Sequence, residues 1–134
     1  MKKIKVETEI NAPLEKIWAG YNTPQDIEKW NSASPDWHTV NASSDFTVGG
    51  KFCSRMEAKD GSMGFDFAGV FTKIISQQLV EYDFGERHAK VEFLQKPHSV
   101  IVSVEFDPEN EFPIEQQQMG WQAILNNFKA YIEQ

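Results

Sequence analysis

Histidine and cysteine are the side chains of this sequence with the most versatile chemistry, and neither type is arranged as in a known catalytic motif. The three histidines, His38, His88 and His98, lie in or beside predicted turns. None has the i, i+4 spacing of a metal-binding pair on a helix, and none accompanies a serine nucleophile motif. We therefore interpret them as surface residues, with His38, which adjoins Trp37, as the one candidate ligand contact.

The single cysteine, Cys53, excludes an internal disulfide and a zinc site built from several cysteines. Lys51 and Arg55 flank it on the predicted outer face of a strand, a positive setting of the kind that activates thiols. An inert thiol is the simpler interpretation. The neighbouring Gly49-Gly50-Lys51 segment is not a phosphate-binding loop, because Asp45 stands where that motif needs a glycine. The sequence predicts no cofactor and no metal.

Composition and charge are those of an ordinary soluble protein. The 134 residues, 40% hydrophobic and 25% charged, fit a single domain over 1–134 that is long enough to enclose a core. Thirteen basic against twenty acidic residues give a formal net charge of −7. An acidic surface repels phosphate, so neither nucleic acid nor an anionic membrane is expected as a partner. Without a secretory signal or a spanning apolar stretch, a cytoplasmic location is expected.

Hydrophobic periodicity predicts the elements that position these side chains. Residues 3–11 alternate as a half-buried strand, Pro13 and Thr23-Pro24 begin two short helices, and residues 114–133 carry the apolar stripe of a long helix. Turn signals separate antiparallel strands at 51–58, 63–75, 79–84, 88–94 and 99–106, after a loop over 31–44 that leads into a strand. Only the terminal helix is large enough to cover one face of the sheet, so the predicted fold class is α+β.

Several short motifs spread over nearly the whole chain carry a family resemblance. They are Ile10-Asn11-Ala12-Pro13 with Ile17-Trp18, Thr23-Pro24 with Trp30, Val48-Gly49-Gly50-Lys51-Phe52, Gly69-Val70-Phe71, Phe106-Asp107, and Gly120-Trp121-Gln122 with Ile124-Leu125 and Tyr131. Their order and spacing resemble the START-like superfamily (SRPBCC, birch-pollen-allergen-like), and most closely the family named for the activator of heat-shock-protein-90 ATPase. The resemblance implies a helix-grip fold, in which a curved antiparallel sheet wraps the C-terminal helix around an apolar cavity. After Trp30 the chain departs from the pattern with Asn31-Ser32-Ala33-Ser34-Pro35, at the mouth of that cavity.

Period-two alternation, together with this resemblance, indicates which side chains face the cavity. The predicted lining residues are Trp30, Trp37, His38, Phe52, Ser54, Met56, Phe65, Phe67, Gly69, Phe71, Tyr82, Phe93, Trp121, Leu125 and Phe128. Ser54 and Gly69 are small residues in bulky rows, which favours empty volume opposite the helix. In the alternative interpretation, Trp121 or Phe128 fills that volume.

Three functions remain open. The favoured one is a binding protein that holds a small apolar or flat aromatic molecule, with Tyr82, Ser54 and His38 providing specificity. The resemblance also implies a polyketide cyclase or aromatase that uses the same cavity, although the sequence contains no visible convergent acid and base. A chaperone partner, docking on the outer face or on the acidic loop at 107–111, is the third. That loop is otherwise a solvated connection, and a shared fold does not carry shared activity.

Overall fold

Seven antiparallel strands form one curled sheet around a long C-terminal helix, in a computed structural model that describes residues 2–134. The strands are β1 (Ile4–Ile10), β2 (Trp37–Ser44), β3 (Lys51–Ala58), β4 (Gly64–Ile75), β5 (Leu79–Phe84), β6 (Arg87–Gln95) and β7 (Val100–Phe106). The helices are α1 (Leu14–Asn22), α2 (Pro24–Trp30) and α3 (Ile114–Ile132). The order across the sheet is β1-β7-β6-β5-β4-β3-β2. The predicted α+β helix-grip architecture is confirmed.

Strand β2 is the element that alternation describes least well. It occupies the second half of the segment that was expected to be a loop leading into a strand. Its pairing with β3 shifts between Val40 and Ser43, and Asn41 has a positive φ of 51°. The extra residue makes a β-bulge, which breaks the inward and outward alternation of side chains. A period-two pattern therefore does not extend across β2.

The core lies between the concave face of the sheet and the C-terminal half of α3. Strand β7 alternates strictly, and Val100, Val102 and Phe106 are completely buried. They pack under Phe128 and Ile132 of α3, which are also buried. Burial of such side chains stabilises the fold by about 1.5–3 kcal/mol each. This packing anchors one half of α3 and leaves its other half free to border a cavity.

Polar side chains of α3 cover the free edge of β1. Nε2 of Gln122 donates to the carbonyl of Glu7 at 3.1 Å, and Nζ of Lys129 donates to the carbonyl of Glu9 at 2.7 Å. The outward carbonyls of an edge strand otherwise need water or another strand. The helix is therefore attached to the edge of the sheet as well as to its face. Within residues 2–134, no helix has the length and apolar character needed to cross a membrane.

Candidate functional site

A cavity of about 510 Å³ lies between the sheet and the N-terminal half of α3. Most of the predicted residues lie in its wall: Trp30, Trp37, Phe52, Ser54, Met56, Phe65, Phe67, Phe71, Tyr82, Trp121 and Leu125. Strands β3, β4 and β5 bring the sheet residues together because antiparallel register places their inward rows side by side. Aromatic rings therefore form a large part of the cavity wall.

The aromatic rings of the wall contact one another in tilted and edge-to-face pairs. The ring centroids of Phe52 and Tyr82 are 5.0 Å apart, and those of Phe67 and Trp121 are 6.2 Å apart. Trp37 and Phe65 form a further pair, 6.1 Å apart. These distances lie within the usual range for interacting aromatic pairs. The wall therefore contains one cluster of contacting rings around Phe52, Phe67, Tyr82 and Trp121, and a separate pair of Trp37 with Phe65.

His38 and Gly69 lie outside the cavity wall. Residue 38 pairs with Glu57 across β2 and β3, and the two side chains meet with Nε2 of His38 3.2 Å from Oε1 of Glu57. Strand register thus directs His38 to the outer face of the sheet. Gly69 faces the concave side, but an added Cβ would lie 2.8 Å from the ring of Phe52. The absence of a side chain at this position accommodates that ring and leaves no empty volume.

Phe93 and Phe128 belong to the packed core. Their rings lie 5.7 Å and 5.1 Å from the ring of Tyr21, both edge to face. Trp121 stacks on Phe106 with the ring centroids 3.8 Å apart and the planes 12° apart. Neither Trp121 nor Phe128 fills the volume opposite Ser54, the alternative that the sequence left open.

Two buried residues with hydroxyl groups, Ser54 and Tyr82, lie in the wall and are 5% and 8% exposed. Neither hydroxyl bonds to another residue in the range 2–134, and the hydroxyl that is fully buried there without a partner is instead that of Ser44, which also lies in the wall. Burial raises the pKa of the Tyr82 phenol well above its ordinary value, an effect that Tyr21 reinforces and Arg87 opposes. The phenol is therefore uncharged over the physiological pH range. Both hydroxyls are free to donate and to accept a hydrogen bond.

One end of the cavity is charged. Arg87 and Glu109 both border it, with Nη1 of Arg87 3.7 Å from Oε2 of Glu109. Nε of Arg87 also donates to the carbonyl of Asp107 at 3.0 Å, and its guanidinium carbon lies 4.5 Å above the ring of Phe84. The cation is thereby held in one orientation by three contacts.

Gln117, on the first turns of α3, holds the loop that carries Glu109. Its Oε1 accepts from the backbone N–H of Glu109 at 2.9 Å, and its Nε2 donates to the carbonyl of Phe112 at 2.8 Å. Gln117 is 8% exposed, so these bonds are shielded from water. The acidic segment that was expected to be a solvated connection therefore places one carboxylate at the cavity.

Alternation and helical spacing contain a signal for some of the residues that sequence reasoning missed. Arg87 lies two positions before Ala89, the first residue of the predicted inward row of β6. A strand that begins at residue 87 instead of 88 therefore directs the Arg87 side chain inward. Gly120 interrupts α3 on the face that carries Trp121 and Ile124, and a Cβ added there meets no atom within 4 Å. Glycine inside a helix destabilises the fold relative to alanine. A glycine at such a position therefore indicates that a side chain there would occupy space that must stay free. Glu109 has no such signal.

Within the described part of the chain, no cluster of three or more His, Cys, Asp or Glu side chains is arranged to hold a metal ion. The wall combines aromatic surface, several hydroxyl and amide groups that include those of Ser44, Ser54 and Tyr82, and the ion pair of Arg87 with Glu109. Such a site is concave and mostly apolar, with few polar groups that set the orientation of a guest. The chemistry it offers is stacking, hydrogen bonding and exclusion of water.

Known proteins that resemble this chain share its fold from end to end. A family model described as Activator of Hsp90 ATPase homolog 1-like protein matches residues 11–133. The solution structure of an AHSA1-like protein from Aeromonas hydrophila is 43% identical, has a TM-score of 0.92, and covers 98% of this chain and 92% of its own. Chr148 from Cytophaga hutchinsonii is 45% identical, with a TM-score of 0.85 and the same two coverages, 98% and 92%.

A more distant likeness links the chain to a protein solved as a dimer. The Aha1 dimer from Colwellia psychrerythraea is 20% identical, with a TM-score of 0.79, over 99% of this chain and 97% of that one. At this identity the likeness concerns the fold alone. No curated protein matches the chain.

Proposed function

The chain belongs to the Activator of Hsp90 ATPase homolog 1-like family, and we propose that it binds a small apolar or flat aromatic molecule between the sheet and α3. The observation that carries this proposal is the aromatic-walled cavity of about 510 Å³. Ligand sites typically measure about 300–1,000 Å³, so the volume suits a guest of one to three fused rings. Close-packed interiors rarely keep such a volume empty.

The wall favours a flat guest with a small polar group. Rings of Phe52, Phe67 and Trp121 offer faces and edges on which an aromatic guest stacks, gaining about 0.5–1.5 kcal/mol per pair beyond simple burial. The free hydroxyls of Ser54 and Tyr82 then orient the polar group. A hydrogen bond to each of these hydroxyls contributes about 0.5–1.5 kcal/mol.

Two experiments can identify the ligand. Native mass spectrometry of freshly purified protein detects a small molecule that co-purifies with the chain. A thermal-shift panel of fatty acids, flavonoids and polyketide-like aromatics detects weaker guests, because a molecule that binds only the folded state raises its melting temperature. Trimming the wall by Phe67→Ala or Trp121→Ala is expected to weaken any hit. Unchanged affinity in both variants contradicts the proposed site.

Gly120 provides a sharper test, because a side chain added there enters open space. Gly120→Phe is expected to fill part of the cavity and to lower the affinity for 2-naphthol, measured by calorimetry, by at least about tenfold, or 1.4 kcal/mol. Gly120→Ala is the matched control, since it adds one methyl group and leaves most of the volume free. The proposal fails when all three proteins bind 2-naphthol equally, because the probe then lies outside this cavity.

A second candidate function is contact with a chaperone ATPase, which the description of the family model favours. The test is the rate of ATP hydrolysis by purified Hsp90 with and without this protein. Stimulation that survives Gly120→Phe supports an interaction surface separate from the cavity. An unchanged rate at saturating protein rejects this candidate and leaves the binding function standing.

A further inference from the structure

We infer that Glu109 makes the cavity selective for electrically neutral ligands, such as aromatic alcohols and carboxamides, over carboxylates of the same shape. This inference rests on the proposed function and names the class of ligand that the site takes. It is based on the charged groups in the cavity wall and on the contacts of the Glu109 carboxylate.

Arg87 is the one basic side chain in the described part of the cavity wall, and its charge is already matched. Oε2 of Glu109 lies 3.7 Å from Nη1 of Arg87, so the two formal charges cancel at this end. Binding of an anion in an apolar site requires an unpaired cation or several aligned donors, because the lost hydration of the charge must be replaced. Arg87 is paired with Glu109 and is therefore not available as an unpaired cation.

The contacts of Arg87 also prevent it from turning toward a guest. Its Nε donates to the carbonyl of Asp107 at 3.0 Å, and its guanidinium lies 4.5 Å above the ring of Phe84. A rotation that presents the fork to a ligand carboxylate breaks this hydrogen bond and the cation–π contact together. Both contacts therefore favour the present pairing with Glu109.

The other oxygen of Glu109 has no hydrogen-bond donor. Oε1 is buried and has no hydrogen-bond partner among residues 2–134, so this end of the wall offers a ligand no free positive group. A ligand carboxylate brought to this end meets the Glu109 carboxylate rather than an unpaired cation, and like charges at short range repel each other. A neutral group avoids the repulsion and still bonds to the hydroxyls of Ser54 and Tyr82.

Glu109 is held in place by the fold. Gln117 receives a hydrogen bond from its backbone N–H at 2.9 Å and donates one to its carbonyl at 3.1 Å. Because Gln117 is a buried residue of α3, these bonds fix the backbone of Glu109 relative to the helix. The Glu109 side chain therefore extends from a fixed position at this end of the wall.

The experiment compares two probes of one shape, naphthalene-2-carboxamide and 2-naphthoate, by calorimetry at pH 7.5. Wild-type protein is expected to bind the carboxamide at least about tenfold more tightly. Glu109→Gln keeps the shape of the side chain, removes its charge and leaves Nη1 of Arg87 at the cavity without an anionic partner, so the affinity for 2-naphthoate is expected to rise about tenfold. The affinity for the carboxamide is expected to change less than about threefold. Glu111→Gln, at an exposed position in the same segment, is the control and is expected to leave the ratio unchanged.

Each result has a distinct meaning. Equal binding of both probes by the wild type, or an unchanged ratio in Glu109→Gln, overturns the inference and leaves the proposed binding function intact. The same change in the affinity ratio in Glu111→Gln also overturns the inference, because the selectivity then reflects the net charge of the whole protein. When neither probe binds the wild type or the Glu109→Gln variant, the proposed function fails and the inference falls with it.

Discussion

Tyr82 is a buried residue of the cavity wall, and its hydroxyl has no bonding partner among residues 2–134. Tyr82→Phe is therefore expected to leave the free energy of unfolding within about 1 kcal/mol of the wild-type value, because no protein hydrogen bond is lost. The same change is expected to weaken 2-naphthol binding roughly fivefold, the effect of one hydrogen bond. Urea unfolding and calorimetry measure the two quantities. A loss of stability above about 2 kcal/mol, with unchanged affinity, gives the hydroxyl a structural role instead.

His88 lies on the outer face of the sheet between two carboxylates. Its Nδ1 is 2.6 Å from Oδ1 of Asp83, and its Nε2 is 2.8 Å from Oε1 of Glu81. The hydrogen bond to Asp83 is the main cause that raises the pKa of His88 above its ordinary value of 6.5, with a further contribution from Glu81 and partial opposition from burial. The charged imidazolium therefore joins β5 and β6 more tightly than the neutral ring does.

The raised pKa of His88 gives a definite sign to a pH effect. Its stabilisation is fully present below the unfolded pKa and is lost as the pH rises through the folded pKa. His88→Gln is expected to lower the melting temperature more at pH 6 than at pH 9. His98→Gln, at an exposed site in a turn, is the control. An equal loss at both pH values for His88→Gln shows that the contacts of His88 do not depend on its charge.

At the scale of the elements, two glycines on opposite sides of the site respond differently to a methyl group. A Cβ at Gly69 in β4 would lie 2.3 Å from the backbone oxygen of Asp83, whereas a Cβ at Gly120 in α3 meets no atom within 4 Å. Gly69→Ala is expected to destabilise the protein by about 2 kcal/mol or more through overpacking. Gly120→Ala is expected to stabilise it by about 0.5–1 kcal/mol, because helical alanine loses less entropy. Urea midpoints that shift in the same direction for both contradict this account of the two elements.

The elements that the sequence predicts best are those with uninterrupted alternation. The boundaries predicted for β3 (51–58) and β5 (79–84) coincide with those in the structure, and the inward rows that they carry form the cavity wall. Strand β2 is less clear because its bulge at Asn41 breaks the period. The local pattern is thus sufficient to predict the bounds of a strand where every residue follows the two-residue repeat.

Contacts between distant segments are what the sequence does not reveal. Glu109 reaches the cavity because Gln117 holds its loop, and the bonds that do so involve side-chain geometry that no periodicity encodes. The sequence pattern likewise predicts empty volume at Gly69, whereas the ring of Phe52 occupies the space beside it. These features follow from packing in three dimensions, so pattern alone predicts the site's aromatic wall but not its charged end.

At the scale of the whole molecule, α3 divides the interior into a packed half and an open half. Near its C-terminus, Phe128 and Ile132 are 0% and 2% exposed and pack against α1. Toward its N-terminus, Gln116, Gly120 and Trp121 border the cavity. The packed core under the C-terminal half of α3 supplies the stability that allows the space beside its N-terminal half to remain unfilled.

This division predicts that a guest stabilises the whole fold. A ligand at one hundred times its dissociation constant adds about 2.7 kcal/mol to the free energy of unfolding. For a domain of this size, that corresponds to a rise in melting temperature of roughly 5–10 °C. A thermal scan of the wild type with 2-naphthol measures it, and Gly120→Phe under the same conditions is expected to show little change. A comparable rise in the variant places the stabilising contact elsewhere.

The position of a bound guest is the most direct test of the central claim that the space between sheet and helix is a ligand site. The measurement is a set of intermolecular nuclear Overhauser effects between 2-naphthol and isotope-labelled protein. We expect contacts with the ring protons of Phe67 and Trp121, which contact each other edge to face in the cavity wall. Contacts confined to exposed apolar side chains outside the wall, such as Val48 and Leu94, contradict it.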